Sequence, residues 1–458
     1  MSKRSQLSSR ERESNRFSGR MRRYARVGVG VGGVAARLVS GRMTGSGGRR
    51  EDNARILRTA LGNLKGPLMK VAQLLSTIPD ALAPEYASEL MQLQAQAPPM
   101  GWPFIRRRMA AELGPDWQAN FACFSREAVA AASLGQVHRA QALDGTQLAC
   151  KLQYPDMASA VEADLRQLQW IFAIHRQLDS AIDTREIYRE IGDRLREELD
   201  YTREARHIAL YGEIFKNTAT IRVPRVYPRL SGRRLLTMGW LEGRPLLECN
   251  GASLEARNLI ATQLFNAWWL PFCRHGVIHG DPHLGNYSVA LDDGAHPVGI
   301  NLLDYGCIRI FPPRFVAGVV ELYEGLRHDD RDRIVHAYRI WGFTGLNNQL
   351  IDVLNIWARF IYGPLLEDRV RPIAEDVNPG QYGREQAFTV HRALKEKGPV
   401  RIPREFVFMD RAAVGLGSVF IRLQAEVNFY RLFNKAIESF STDRVTRTQM
   451  RSLAKAGL

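Results

Sequence analysis

The sequence predicts an α+β fold with two lobes, a small strand-rich lobe and a larger, mostly helical one, preceded by a helical extension. Two runs of alternating polar and apolar residues, 136–142 and 147–153, flank the turn-forming pair Asp144-Gly145, which predicts a β-hairpin. Apolar residues recur at helical spacing in 314–365 and 406–440. At 458 residues and 45% hydrophobic, the chain can bury a large core.

The segments HGDPHLGN at 279–286 and LLDYG at 302–306 are typical of the metal and phosphate site of a protein kinase. Asp281 and Asn286 have the spacing of the catalytic Asp and the metal-binding Asn, and Asp304 takes the Asp position of the D-F-G motif. Carboxylate and amide oxygens suit a Mg²⁺ ion that bridges nucleotide phosphates. We therefore predict that Asp281 is catalytic and that Asn286 and Asp304 bind metal. Chance turn chemistry is the alternative for either motif alone, but the ordered pair argues against it.

A kinase-like site also needs a lysine on a strand of the nucleotide lobe. Lys151 lies in the second predicted strand, at the position where an ammonium group holds the α- and β-phosphates and pairs with a helix glutamate. Lysine supplies only 9 of the 63 basic residues, and this one stands in an apolar stretch. We predict a catalytic Lys151 in a site for ATP or ADP. A solvated strand lysine is the alternative.

The segment before the hairpin departs from ordinary kinases. The first two glycines of the kinase phosphate loop are replaced by alanines, and only the third, Gly135, is retained. Glycine lets backbone N–H groups approach phosphate closely, so an alanine-rich loop should change nucleotide preference. A short helix is the alternative for this segment. The predicted cofactor-binding residues of the loop and first strand are Ala130, Ala131, Ala132, Ser133, Gly135 and Val137.

Two further segments extend the pattern, and together with the alanine-rich loop they resemble the UbiB family of atypical kinase-like ATPases. The family's K-x-G-Q signature matches Lys70-Val71-Ala72-Gln73, with Ala72 in place of the glycine. Its E-x-D element matches Glu198-Leu199-Asp200, in ELDYTREA. The segments KLQYP at 151–155 and TMGWLEGRPL at 237–246 also fit. The resemblance covers most of the chain and is nearest to the branch of mitochondrial ubiquinone-biosynthesis proteins.

The resemblance implies roles for the polar residues of these segments. Lys70 and Gln73 would share one face of a helix over 53–75 and point into the nucleotide cleft, where they would block a protein substrate. A polar surface pair is the alternative. Asp200 and Glu204 are four residues apart, which predicts that they share a helix face. We assign Glu204 as the catalytic partner of Lys151, and Glu198 or Asp200 as the partner of Lys70.

The sequence suggests four consecutive regions. We predict a basic, flexible, membrane-proximal tail over 1–50, a helical extension over 51–120, the strand-rich lobe over 121–240 and the helical lobe over 241–458. A Pro-, Gly- and charge-rich connection near 367–404 should be a surface loop. We predict that His138, on its strand, is a packing or a surface residue and that Cys150 and Cys307 are small apolar fillers.

The charge is concentrated in the N-terminal tail. Residues 1–50 hold 13 Lys and Arg against 2 Asp and Glu, so they carry +11 of the net +15. Arginines frame a short glycine-rich apolar stretch there, which indicates attraction to anionic lipid, and no stretch is long enough for a predicted membrane span. Nucleic-acid binding is not expected, since aromatic residues do not interleave with the basic ones. A disordered tail without a partner is the alternative.

These observations leave three functional hypotheses. The first is a kinase-fold Mg-ATPase that supports ubiquinone or other isoprenoid-lipid biosynthesis, with an isoprenoid quinone precursor or lipid and ubiquinone-biosynthesis enzymes as partners. The second is a phosphotransferase acting on a small molecule or lipid, and the third is a non-catalytic, nucleotide-dependent scaffold. The Arg-over-Lys skew of the whole chain favours a bacterial protein in the cytoplasm, at the inner face of the plasma membrane. The Arg-rich N-terminus leaves the mitochondrial matrix as the alternative.

Overall fold

A computed structural model describes residues 99–131, 134–163, 165–166, 192–375, 390, 393 and 404–458. The predicted tail over 1–50, the helix over 53–75 with Lys70 and Gln73, and the loop residues Ala132 and Ser133 lie outside the described residues. Most of the connection predicted near 367–404 also lies outside them. The four region boundaries stay a prediction.

The chain divides into two compact units. One comprises Met1–Pro98, Ala131–Leu134 and Pro155–Leu195. Of its described residues, 157–163, 165–166 and 192–195 are helical. The other comprises Pro99–Ala130, Gly135–Tyr154 and Arg196–Leu458, and it contains Lys151, Glu204, Asp281, Asn286 and Asp304.

The larger unit begins with a helix and an antiparallel sheet that carries Lys151. The elements are α1 (Trp102–Leu113), β1 (Phe121–Ala131), β2 (Gly135–Ala142), β3 (Gln147–Gln153) and β5 (Leu235–Gly239), and the strand order is β1-β2-β3-β5. The predicted hairpin is confirmed as β2 and β3. At its turn, Gly145 takes a φ of +85° and the Asp144 carboxylate accepts a hydrogen bond from the Thr146 amide at 3.0 Å.

Helix α2 (Tyr201–Phe215) lies between β3 and β5 in the chain and carries Glu204 in its first turn. Asp200 is its N-cap, with φ −94° and ψ 84°, and its side chain accepts a hydrogen bond from the Arg203 amide. The expectation that Asp200 and Glu204 share one face of a continuous helix is therefore wrong. The chain leaves helical geometry at Asp200 because a short acidic side chain there can satisfy a free N–H group of the new helix.

A second sheet and a two-stranded ribbon hold the kinase-like motifs. Strands β4 (Ile221–Arg222), β9 (Pro297–Leu302), β8 (Tyr287–Leu291) and β6 (Arg244–Pro245) form the sheet in that order. Strands β7 (Val277–His279) and β10 (Ile308–Ile310) pair antiparallel, with Ile308 opposite His279. Because β7 leads into the HGD segment and β10 follows the DYG segment, this pairing brings the two motifs together.

The remaining helices form the core of this unit around a long buried helix. They are α3 (Leu254–His275), α4 (Pro313–Arg327), α5 (Arg331–Ile340), α6 (Asn348–Leu366), α7 (Arg404–Leu423), α8 (Phe429–Ile437) and α9 (Thr442–Ala456). Trp268 of α3 is buried and donates its indole N–H to the Tyr287 hydroxyl at 2.9 Å. The helical periodicity predicted over 314–365 and 406–440 is confirmed, and the helices break where Asp330, Asn347 and Asn428 act as N-caps.

Burial in the first sheet confirms the packing alternative for His138 and the prediction for Cys150. His138 is fully buried, stacks on Phe124 and bonds the Ser125 carbonyl at 3.0 Å, and burial lowers its pKa. Cys150 is also fully buried, and burial raises the pKa of its thiol to about 12. Neither residue is exposed for chemistry. Among the described helices, none combines the length and apolarity needed to cross a membrane.

Candidate nucleotide site

The ammonium group of Lys151 lies between two carboxylates. Its Nζ is 2.7 Å from Oε1 of Glu204 on α2 and 3.0 Å from Oδ2 of Asp304 in the DYG segment. The Glu204 side chain is 2% exposed, whereas that of Asp304 is 35% exposed. The predicted pairing of Glu204 with Lys151 is confirmed as a contact, and its catalytic role stays a prediction. The exposed carboxylate is the one that a ligand could reach.

The pKa values of Lys151, Asp304 and Glu204 are shifted in different ways by burial and by their mutual charges. Burial alone would lower the pKa of Lys151, but Asp304 and Glu204 outweigh it and raise that pKa well above its usual value. Burial would raise the pKa of Asp304, but the charge of Lys151 and the hydrogen bond from the Gly306 amide lower it. Burial raises the pKa of Glu204 in spite of Lys151. Asp304 is therefore the carboxylate that stays most firmly ionised, as a metal ligand should.

The catalytic loop is held by its own side chains. The Asn286 Nδ2 donates to the Asp281 carbonyl at 3.1 Å, which leaves the amide oxygen of Asn286 as the atom with lone pairs for a cation. The Asp281 amide donates to Nδ1 of His279 at 3.3 Å, and Nε2 of His279 bonds the Asp304 carbonyl at 2.8 Å. His279 thus joins the loop to the DYG segment. Sequence reasoning placed His279 in the motif but gave it no role.

The oxygen atoms of Asp304 and Asn286 suit a cation whose remaining coordination positions are filled by a bound ligand and water. Within the described ranges, no three His, Cys, Asp or Glu side chains converge as a candidate metal centre. Mg²⁺ in nucleotide sites is commonly held by one or two carboxylates, with phosphate oxygens and water completing the octahedron. Asp304, with the Asn286 amide oxygen, suits that incomplete shell.

The alanine-rich segment differs from its prediction. Ala130 and Ala131 are the last residues of β1 and not part of a loop, because the strand continues through them. Gly135 begins β2, where an added Cβ would overlap the Leu152 carbonyl oxygen and lie 3.0 Å from the Tyr201 hydroxyl. Close approach of β3 and α2 therefore already explains this glycine. Val137 lies opposite Lys151 in the hairpin.

Two aromatic or imidazole side chains of α2 were not predicted to belong to the site. The ring of Tyr201 lies under the Lys151 ammonium, 5.4 Å from ring centroid to Nζ. His207, one turn beyond Glu204, bonds the Tyr305 carbonyl at 3.0 Å through Nδ1. His207 could have been predicted from the sequence, because it lies three residues after Glu204 and residues three apart share a helix face. Glu198, predicted for Lys70, contacts the Cys307 thiol at 3.9 Å.

Comparison with known proteins agrees with this geometry. Residues 92–338 match the ABC1 atypical kinase-like domain, which is more than half of the chain. The chain belongs to the ABC1 family of atypical kinase-like proteins. The resemblance to the UbiB family is thereby confirmed, and the kinase-like domain implies nucleotide binding.

Proteins similar to this chain are found in eukaryotic organelles and in bacteria. The rat protein "Atypical kinase COQ8B, mitochondrial" is 27% identical, over 97% of this chain and 85% of its own length. The Arabidopsis thaliana protein "ACTIVITY OF BC1 COMPLEX KINASE 7, chloroplastic" is 32% identical, over 84% of this chain but 54% of its own length. The chain thus spans about half of some curated relatives and most of others.

A solved structure supports the fold of this ABC1 family member. The structure of Rv3197 with erythromycin, from Mycobacterium tuberculosis, is 26% identical with a TM-score of 0.59, and the match covers 88% of this chain and 98% of that one. The predicted two-lobed α+β kinase-like fold is confirmed.

Proposed function

We propose that this protein is a kinase-fold Mg-ATPase that supports isoprenoid-lipid biosynthesis, ubiquinone in particular, at a membrane surface. The observation that carries the ATPase proposal is the position of Lys151, which bonds both a buried helix carboxylate and a partly exposed one at 2.7 and 3.0 Å. This is the arrangement in which kinases hold a lysine for the α- and β-phosphates and an Asp for Mg²⁺.

Each residue then has a definite task. Glu204 holds the ammonium of Lys151 in place from its buried side, and Lys151 neutralises phosphate charge. Asp304 and Asn286 would hold Mg²⁺, which would supply charge stabilisation to the phosphates. Asp281 orients the attacking hydroxyl or water and accepts its proton. Gly135 and Val137 of β2, with Ala130 of β1, would line the phosphate side of the sheet.

The lipid part of the proposal rests on relatives and on charge. The likeness to the UbiB family and to proteins named COQ8 supports a role with ubiquinone-biosynthesis enzymes and an isoprenoid quinone precursor. The tail over 1–50 would contact anionic lipid. The Arg-over-Lys skew supports a bacterial protein at the inner face of the plasma membrane.

Helix α9 offers a second surface for anionic lipid. Arg444, Arg447 and Arg451 follow one another at spacings of three or four residues, so they share one exposed face. Lys455 continues this face but is paired with Glu213 at 2.7 Å. Met450, beside this stripe, is 67% exposed. Burial lowers the pKa of His275 to about 4, with smaller contributions from Arg274 and then from Arg451. Cations with an exposed apolar side chain are typical of interfacial helices.

Phosphate release from Mg-ATP tests the proposal. We expect turnover by the purified full chain, increased by vesicles of anionic lipid and by a soluble quinone-precursor mimic. Mass spectrometry of the mimic, the lipid and the protein separates ATPase from phosphotransferase activity, since a phosphorylated acceptor would favour the latter. Binding of Mg-ATP without any turnover would select the scaffold instead.

Charge reversal tests the α9 surface. The double variant Arg447→Glu/Arg451→Glu should bind anionic vesicles more weakly than wild type at physiological salt, because each exposed cation near such a surface contributes ~1 kcal/mol. The matched control is Arg229→Glu/Arg233→Glu, on two exposed arginines of another segment. Equal losses in both variants would show that overall charge, and not α9, governs binding.

A further inference from the structure

Helix α2 and the residues just before it make a series of contacts with the segment 304–309. The Tyr305 amide lies 3.5 Å from Oε1 of Glu204, and the Tyr305 carbonyl bonds His207 at 3.0 Å. The Tyr305 ring packs edge-on against Tyr211 of α2, with centroids 5.5 Å apart. The helix that carries the lysine's partner is thus bonded directly to the segment that carries the metal ligand.

The contacts continue beyond the DYG motif. Arg309 of β10 donates to Oε2 of Glu197 at 2.5 Å, and Arg203 of α2 lies 2.8 Å from Oε1 of the same carboxylate. Glu197 therefore bridges an arginine on each side. Its side chain is 25% exposed and that of Arg309 is 14% exposed, so the pair is partly shielded from water.

We propose that His207 and Glu197 are positioning residues that fasten α2 to segment 304–309, so that Glu204 and Asp304 keep their places on either side of Lys151 without a ligand. This rests on the proposed nucleotide site. In many kinases the corresponding helix and segment move apart and must be brought together for activity. Here side-chain bonds on both sides of Glu204 oppose such a movement.

His207 is the stronger of the two tethers. The Tyr305 carbonyl can only accept, so Nδ1 of His207 carries the hydrogen. The side chain is 1% exposed, and a carbonyl buried beside it would lose its partner if the imidazole were removed. An unsatisfied buried acceptor is more costly than the bond itself is worth. Loss of His207 should therefore release Tyr305 and, through it, Asp304.

Hydrogen–deuterium exchange on the full chain, without nucleotide, tests the tether directly. In His207→Leu, exchange of the amides in 304–309 should rise about tenfold or more through local opening. His207→Asn places an amide N–H near the position of Nδ1 and should bring exchange back towards the wild-type rate. Calorimetry should show a tenfold weaker Kd for Mg-ATP in His207→Leu, equivalent to about 1.4 kcal/mol.

The matched control is His275→Leu. His275 is a partly buried histidine, bonded through Nδ1 to the Ser452 hydroxyl at 2.9 Å, and it joins α3 to α9. This variant should lose stability without faster exchange in 304–309. If both leucine variants raise exchange there equally, the effect is general destabilisation and the tether is refuted. A folded His207→Leu with wild-type exchange and Kd would refute it as well.

The arginine bridge has its own test. Glu197→Ala and Arg309→Ala should each raise exchange in 304–309. The double variant should exchange little faster than the worse single variant, because both substitutions remove the same bond between Arg309 and Glu197. Additive effects on exchange would show that Glu197 does not act as part of the tether. Exchange decides these outcomes even if wild type bound no ATP, a result that would refute the proposed function by itself.

Discussion

Gly415 of helix α7 lies directly against Pro282 of the catalytic loop. A Cβ on this glycine would overlap Cγ of Pro282 and lie 3.3 Å from its Cβ. Pro282 follows Asp281 in the chain, so the proximity of α7 to this loop depends on the missing side chain. The helix that ends at Leu423 thereby limits where the proposed catalytic carboxylate can stand.

Gly415→Ala tests this relationship. Alanine favours helices, but here it must displace Pro282, so we expect a net loss of about 1–3 kcal/mol in the free energy of unfolding and a lower kcat. Gly363→Ala is the matched control, because a Cβ on this helical glycine would meet nothing within 4 Å. It should be neutral or stabilising by about 0.5–1 kcal/mol. Denaturant titrations and turnover measurements on both variants test this expectation. Equal stability and equal kcat in the two variants would contradict the packing of Gly415 against Pro282.

The ion pair of Lys151 and Glu204 should behave as one unit. We expect Lys151→Ala and Glu204→Ala each to lower kcat/KM on the order of 100-fold, through lost electrostatic stabilisation of phosphate. The double variant should lose little more than the worse single variant. Steady-state kinetics with all three variants measures the coupling. Additive losses would mean that Glu204 acts separately from Lys151.

Asp304→Asn should remove Mg-dependent nucleotide binding while the fold survives. The substitution keeps the side-chain shape but deletes the charge that pairs with Lys151 at 3.0 Å and that would hold Mg²⁺. We expect Mg-ATP to raise the Tm of the wild type and not of the variant. Asp292→Asn, at an exposed carboxylate in the turn after β8, is the control. An undiminished Mg-dependent shift in Asp304→Asn would exclude it as a metal ligand.

Acid should destabilise the protein through His207. Burial, with a smaller effect of Arg203, lowers the pKa of His207 from 6.5 to about 4, opposed by the Tyr305 carbonyl and Glu197. The unfolded chain therefore binds a proton at higher pH than the folded chain, and stability is lost as pH falls from about 6.5 to 4. The loss could reach ~3 kcal/mol. Urea midpoints across this range should fall less steeply for His207→Asn, and equal slopes would contradict the assignment.

Sequence reasoning found the groups whose chemistry is local to a motif. The hairpin, Lys151, the catalytic loop and Asp304 each follow from spacing and residue type, whereas the choice of Glu204 as partner depended on the resemblance to the UbiB family. It missed the bridge from Glu197 to Arg309, because this bond joins elements about 100 residues apart and no local period encodes it. It also missed His207, although its spacing of three from Glu204 indicates a shared helix face. It also misjudged Asp200, since an acidic residue at helical spacing can equally be the cap that starts the helix.

An insertion in the hairpin of β2 and β3 would disrupt the ion pair of Lys151 if it shifted the pairing of the two strands. Gln141 faces Gln147 beside the turn, and Val137 faces Lys151 four residues further along each strand. Side chains alternate between the two faces of a sheet, so a shift of pairing by one residue would turn Lys151 to the opposite face. Related chains should therefore vary the length of this hairpin only where the turn absorbs the change and the strand pairing is preserved. The direction in which Lys151 points is thus fixed by a turn at Asp144-Gly145, outside the site itself.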